Sequence, residues 1–95
     1  MNKFIVNLTE HATNDLKDIP KELRDRIHQD IKALESEPFP SGPHIKRLRG
    51  LRPPVYRLCS GDFRILYHIQ QNTVMILRVI DRKLLDRILR RLKTS

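Results

Sequence analysis

Arg57 and Arg64 are the residues of this sequence that most need a chemical reason. Each stands inside a stretch of alternating side chains, residues 55–60 and 63–70, where Val or Thr would be the structural choice. A guanidinium is a rigid fork of donors that matches phosphate oxygens. Two of them side by side can grip an RNA phosphodiester and stabilise the negative charge that grows on it during cleavage. Cleavage without a metal also needs groups beside the attacking 2′-OH and the leaving 5′-oxygen. The candidates on offer are Asp81, Asp86, His68 and the arginines themselves. The plainer alternative makes Arg57 and Arg64 sheet-edge cations that answer Asp62 or Asp81.

Other chemistries find little footing. There is no phosphate-binding loop, no H-E-x-x-H and no nucleophile elbow. His11, His28, His44 and His68 have no ligand spacing, and Cys59 stands alone, so neither a disulfide nor a cysteine-based zinc site can form within the chain. A lone strand cysteine is normally a small core residue. No metal and no cofactor are expected. No apolar run approaches the ~20 residues of a spanning helix, and the opening MNKFIVNLTE lacks the pattern of a secretory signal. The expected setting is a reducing cytoplasm, with no membrane.

Charge sharpens the phosphate reading. The chain has 95 residues and a net charge of +8. Residues 1–43 hold 6 basic and 8 acidic side chains, whereas residues 44–95 hold 13 basic, ten of them Arg, and only 3 acidic. Soluble surfaces usually intersperse the two signs. An arginine-dominated half points to a nucleic acid or an acidic protein as partner.

The elements that must position these cations follow from periodicity. Phe4, Val6 and Leu8 alternate with Ile5 and Asn7 as a short strand. Thr9 offers an N-cap for a helix carrying Ala12, Leu16 and Ile19 on its apolar side. Ile19-Pro20 ends that helix, and Pro20 fits the first turn of the next. Leu23, Ile27, Ile31 and Leu34 form its stripe, with Glu22, Arg24, Asp25 and Asp30 facing solvent. Residues 38–43 are a proline-rich loop. Residues 45–49, 55–60, 63–70 and 73–80 read as strands. Leu84, Leu85, Ile88, Leu89 and Leu92 make a closing amphipathic helix, whose other side carries Lys83, Arg87, Arg90, Arg91 and Lys93.

The order β-α-α-β-β-β-β-α predicts one α+β domain over residues 1–95: an N-terminal strand and α-hairpin packed on a mostly antiparallel twisted sheet, with a C-terminal amphipathic helix. A turn at Gly61-Asp62 pairs Tyr56 with Tyr67, Arg57 with Leu66, Leu58 with Ile65 and Cys59 with Arg64. A turn at Gln71-Asn72 pairs Ile65 with Arg78 and Arg64 with Val79. One face then collects Tyr56, Leu58, Phe63, Ile65, Tyr67, Ile69 and Ile76. The other carries Arg57, Arg64 and His68 among Leu66, Leu77 and Val79, and is the expected working surface.

At these residues the chain resembles the RelE/ParE toxins of bacterial and archaeal toxin–antitoxin systems. The resemblance lies in Lys46-Arg47-Leu48-Arg49-Gly50, then Tyr56-Arg57-Leu58, then Gly61-Asp62-Phe63-Arg64-Ile65-Leu66-Tyr67, and in Val74 to Arg82 with its ending Arg-Val-Ile-Asp-Arg. It extends into the α-hairpin through Asp15-Leu16-Lys17 and Ile19-Pro20-Lys21-Glu22-Leu23-Arg24, so it spans nearly the whole chain.

The resemblance implies a RelE-like fold and a cognate antitoxin that wraps the toxin and masks its basic face in a hetero-oligomer. In the RelE branch it implies a ribosome-dependent, metal-independent endoribonuclease that cuts mRNA in the A site, leaving a cyclic phosphate and a 5′-OH. Arg57, Arg64 and Arg82 match the family's catalytic cations, and Arg47 and Arg49 its basic stretch. Lys46, Arg52, His68 and Lys83 complete the candidate RNA-binding set. Two departures stand out. Asp81 replaces the His that often precedes the final Arg, and Asp86 and Ile88 stand where an aromatic often follows it; Asp81 and Asp86 are the candidates for proton transfer. The ParE branch shares the fold but inhibits DNA gyrase without catalysis, and a degenerate toxin that keeps only antitoxin binding is a third reading. The closing helix reads as core over a sheet edge, or as an element that an antitoxin helix displaces.

Overall fold

The computed structural model describes residues 3–94, with side chains described as far as Arg91. The elements run β1 (Ile5–Leu8), α1 (Glu10–Lys17), α2 (Lys21–Ala33), β2 (Ile45–Arg47), β3 (Tyr56–Ser60), β4 (Phe63–Gln70), β5 (Thr73–Asp81) and α3 (Arg82–Thr94). The five strands form one sheet in the order β1-β5-β4-β3-β2. β1 runs parallel to β5 and every other pair is antiparallel. This is the α+β arrangement that the periodicity predicts. Among the described residues no helix is long and apolar enough to cross a membrane.

Local chemistry explains the α-hairpin. Thr9 caps α1 by accepting the Ala12 N–H on its Oγ1. Pro20 stands one position earlier than expected, as the N-cap of α2, where its carbonyl accepts from Arg24 N at 2.9 Å. Ala12, Leu16, Ile19, Ile27, Ile31 and Leu34 are buried against Leu58, Ile65, Tyr67, Val74 and Ile76 of the sheet. Two residues of α2 depart from expectation. Leu23 is 47% exposed, so the buried part of the stripe runs from Ile27 through Ile31 to Leu34. Asp30 does not face solvent freely: its Oδ2 accepts a hydrogen bond from Ser60 Oγ at 2.5 Å and ties α2 to β3.

The β3–β4 hairpin has the expected register, from Tyr56 opposite Tyr67 to Cys59 opposite Arg64. Gly61 supplies the positive φ, 58°, that the turn requires. β2 ends at Arg47 instead of residue 49, as the chain turns through Gly50 at φ 78°. Tyr67 is fully buried, stacks on Tyr56 and donates its hydroxyl to Pro38 O at 2.7 Å, which pins the proline loop to the sheet. Burial first, and Tyr56 second, push its ionisation upward.

The β4–β5 pairing corrects the expected register. Gln70 to Tyr67 pair with Thr73 to Ile76 as expected, but a bulge then shifts the ladder by one. Leu66 faces Arg78, Ile65 faces Val79 and Arg64 faces Ile80. Val79, expected on the working surface, therefore turns into the core at 3% exposure. The cause lies on the outer edge of β5. β1 stops pairing at Leu8–Ile76, and beyond it the strand has no neighbour. The start of α1 takes its place. Thr9 Oγ1 donates to Leu77 O at 3.0 Å, and Asp15 Oδ2 accepts the Val79 N–H at 2.9 Å. The same carboxylate binds Arg78 in two-pronged fashion, at 2.8 and 3.2 Å, and holds its guanidinium protonated even more firmly. With β1 ended, these outer backbone groups would lack partners, and the two side chains satisfy them.

Two stability predictions follow from these contacts. Asp15→Ala should lower stability by about 2–3 kcal/mol, since it removes hydrogen bonds to a charged group and orphans a backbone donor. Asp15→Asn, which still accepts from Val79, should lose clearly less in urea unfolding; equal losses would deny the bulge its dependence on that acceptor. Tyr67 ionises later in the folded state than in the unfolded chain, whose value is near 10. Its contribution is therefore complete below about pH 10 and fades as pH rises further. Tyr67→Phe should cost about 1 kcal/mol at neutral pH and flatten the alkaline fall in melting temperature.

Candidate functional site

Residues directly opposite one another in a sheet share a face. The register therefore lays a row across four strands, Lys46–Arg57–Leu66–Arg78, on the side of the sheet away from α1 and α2. The next row is Cys59–Arg64–Ile80. Arg57 and Arg64 are diagonal neighbours, with backbones roughly 7–8 Å apart. Arg78 is committed to Asp15. Arg57 Nη1 lies against Cys59 Sγ, inside the same pair of rows.

The long helix α3 leans on this face, touching β4 and β5. Leu85 and Ile80 are each 3% exposed and lie outside the main core cluster, so they form a second small core beneath the helix. Leu84, expected in the apolar stripe, is 40% exposed, while Leu85 beside it takes the buried position. The expected roles of Leu92 and Lys93 fall outside the described side chains. One turn further along the helix than Leu85, Leu89 walls a cleft of about 220 Å³ with Lys46, Arg47, Leu48, Arg49 and Arg57. Beside it, and sharing Arg47 and Arg49, a second hollow of about 400 Å³ reaches Gly50.

The Gly61-Asp62 turn organises the opposite end. Arg64 Nη1 donates to Gly61 O and Phe63 O, both at 2.9 Å, which fixes one amino group of its guanidinium. Its other N–H groups are not used in those bonds. The Arg82 backbone N–H donates to Asp62 O at 2.9 Å, so the same turn anchors the start of α3. Asp81 Oδ1 accepts the Lys83 N–H at 2.8 Å and caps the helix. Asp62, Asp81, Arg82 and Lys83 line a hollow of about 220 Å³.

The structure thus gathers the predicted residues into two groups. Lys46, Arg47, Arg49 and Arg57 share the cleft under Leu89; Asp81, Arg82 and Lys83 share the hollow by the turn. Arg64 links them, diagonal to Arg57 and bonded to the turn that holds Arg82. Three predicted residues stand apart. Asp86 is exposed on α3, Arg52 is exposed in the loop after β2, and His68 lies opposite Met75, toward the far end of β4 from the turn. Four residues given no part in the chemistry line the hollows: Leu48, Gly50, Asp62 and Leu89. Asp62 read as a turn residue and Leu89 as core, and only the packing of α3 reveals their place.

Comparison with known proteins adds the following. The family model for the ParE toxin of the type II toxin–antitoxin system parDE matches residues 6–84. A protein of Methanocaldococcus jannaschii named "Putative toxin RelE1" is 34% identical over 83 residues, covering 85% of this chain and 91% of that protein. Among solved structures, the toxin–antitoxin complex RelBE2 of Mycobacterium tuberculosis superposes with a TM-score of 0.72 at 29% identity, over 84% of this chain and 99% of that one. The archaeal RelE–RelB complex of Pyrococcus horikoshii gives a TM-score of 0.72 at 25% identity, over 84% and 96%.

If the cleft cations meet phosphates, their loss should show in the salt dependence. Arg49→Ala should weaken binding of single-stranded RNA regardless of sequence and reduce the slope of log affinity against log salt by about 0.7. An unchanged slope would place Arg49 outside the contact.

Proposed function

The chain belongs to the RelE/ParE family of type II toxins, and from that membership we propose that it is a ribosome-dependent endoribonuclease that cuts mRNA in the A site. Its partners in this reading are the ribosome, mRNA and a cognate antitoxin of the RelB type, which masks the basic face in a toxin–antitoxin hetero-oligomer in the cytoplasm. The observation that carries the reading is the diagonal pair Arg57 and Arg64 with Arg82 tethered to the same turn.

In this mechanism the 2′-OH of the nucleotide before the scissile bond attacks the adjacent phosphorus. The P–O5′ bond breaks, giving a 2′,3′-cyclic phosphate and a 5′-OH. Arg64 is the main cation on the developing dianionic phosphorane. Its Nη1 is held by two carbonyls, so its remaining donors are oriented before substrate arrives. Arg57 and Arg82 flank it. Of the two aspartates, Asp81 suits proton transfer better than Asp86, because it shares a hollow with Arg82 while Asp86 lines none of the three hollows described. An ionised carboxylate has lone pairs beyond the one engaged with Lys83 N–H. Lys46, Arg47, Arg49, Arg52, His68 and Lys83 hold RNA phosphates in the proposal.

The test is cleavage of mRNA on programmed ribosomes, mapped by primer extension. The wild-type chain should cut within the A-site codon, and Arg64→Ala should be slower by roughly 100-fold or more while it still folds and still binds the antitoxin. Intact mRNA alongside trapped DNA breaks would replace this reading with gyrase inhibition.

A further inference from the structure

The ribonuclease reading accounts for the arginines but leaves two apolar side chains in the basic cleft without a task. The cleft of about 220 Å³ has cations around it, yet Leu48 and Leu89 form part of its walls. They come from distant parts of the chain: Leu48 from the end of β2 and Leu89 from the second half of α3. Both are half-buried. A site for phosphate alone has no use for two leucines, because a highly hydrated anion gains nothing from apolar contact. The adjoining hollow, of about 400 Å³, fits phosphate better. Arg47, Arg49 and Gly50 line it, and Gly50 has nothing within 4 Å of the position a Cβ would take.

We infer that these two hollows together form a seat for one nucleotide of the bound RNA: its base lies between Leu48 and Leu89, and a flanking phosphate lies on Arg47 and Arg49. This deepens the ribonuclease reading and rests on it. The division of labour follows the chemistry of a nucleotide, which is a flat, largely apolar ring joined to an anion. The size limits the occupant. At about 220 Å³ the cleft falls below the roughly 300–1,000 Å³ of sites for whole drug-sized ligands, so it admits a single base. Arg57 lies at the same cleft and is the diagonal neighbour of Arg64. The seated base is thus next to the phosphate on which Arg64 acts. The departure at Ile88 acquires a physical sense as well. No aromatic is present there to stack on a base, and the two leucines clasp it by apolar contact on either face.

The seat also makes α3 part of the substrate site. Leu85, one turn earlier, is buried at 3% exposure and holds the helix down, while Leu89 is left to meet the ligand. A truncation at Leu89 therefore changes the cleft wall without removing the residue that anchors the helix.

The experiment uses the purified chain and two probes: a non-cleavable 2′-deoxy dinucleoside monophosphate, and inorganic pyrophosphate, which has charge but no base. Binding is followed by NMR titration. Leu48→Ala/Leu89→Ala should weaken the dinucleotide at least tenfold and leave pyrophosphate within twofold. Leu89→Phe should restore or tighten dinucleotide binding, since it offers a ring to stack on. The inference is overturned if both probes weaken equally in the double variant, or if the dinucleotide is unaffected. The same proteins are then assayed on programmed ribosomes. Leucine-dependent dinucleotide binding by a chain that leaves mRNA intact would retain the seat and remove the ribonuclease reading. Wild-type cutting with leucine-independent binding would do the reverse.

Discussion

The structure depends on how one strand edge is finished. β5 is bordered by β1 only as far as Ile76. Past that point its outward backbone groups have no strand to pair with, and an unpaired buried donor or acceptor costs about as much as a lost hydrogen bond. Thr9 and Asp15, from the first turns of α1, supply the missing partners at Leu77 O and Val79 N. That arrangement admits an extra residue in β5. The extra residue turns Val79 inward, places Ile80 opposite Arg64 and delivers Asp81 and Arg82 to the Gly61-Asp62 turn. A contact on the far edge of the sheet thus decides which residues stand beside the proposed catalytic arginine.

The toxin's two faces divide the work. The side under the α-hairpin carries the main core, from Ala12 to Val79, and the polar ties there are structural: Asp30 with Ser60, Tyr67 with Pro38. The opposite side carries a smaller apolar patch at Ile80 and Leu85, and a cleft nearby sets cations around Leu48 and Leu89. A basic surface of this kind suits both partners of the proposal. In the proposal it meets the phosphates of RNA, and the chain's charge of +8 also favours an acidic antitoxin that would cover the same groups.

Much of this was legible in the residues, and the exceptions have physical causes. Period-two and helical patterns placed every element, and the glycine at position 61 set the β3–β4 register correctly. The bulge was hidden because its determinants, Thr9 and Asp15, lie more than sixty residues from Leu77 and Val79 and look like ordinary cap and surface residues. A run such as Met75-Ile76-Leu77-Arg78-Val79-Ile80 is apolar in both phases and gives no sign of a slipped residue. The grouping of Lys46, Arg47 and Arg49 with Arg57 was not legible, since no turn signal in the residues sets the register of β2 on β3. Nor was the part played by Leu89, since a leucine on an amphipathic helix looks the same whether it meets core or ligand. Arg52 entered the candidate site by charge and Asp86 by its place after the final Arg of the resemblance, and neither lines any of the three hollows described.

In the proposed reaction the arginine face drives attack by a ribose hydroxyl. The most direct measurement places an mRNA with a single 2′-deoxy substitution, at the nucleotide before the scissile bond, in the A site of programmed ribosomes. The account predicts that the all-ribose message is cut, with a 2′,3′-cyclic phosphate and a 5′-OH at the new ends, while the substituted bond survives. Cutting at the 2′-deoxy position would contradict it, because no hydroxyl is there to attack.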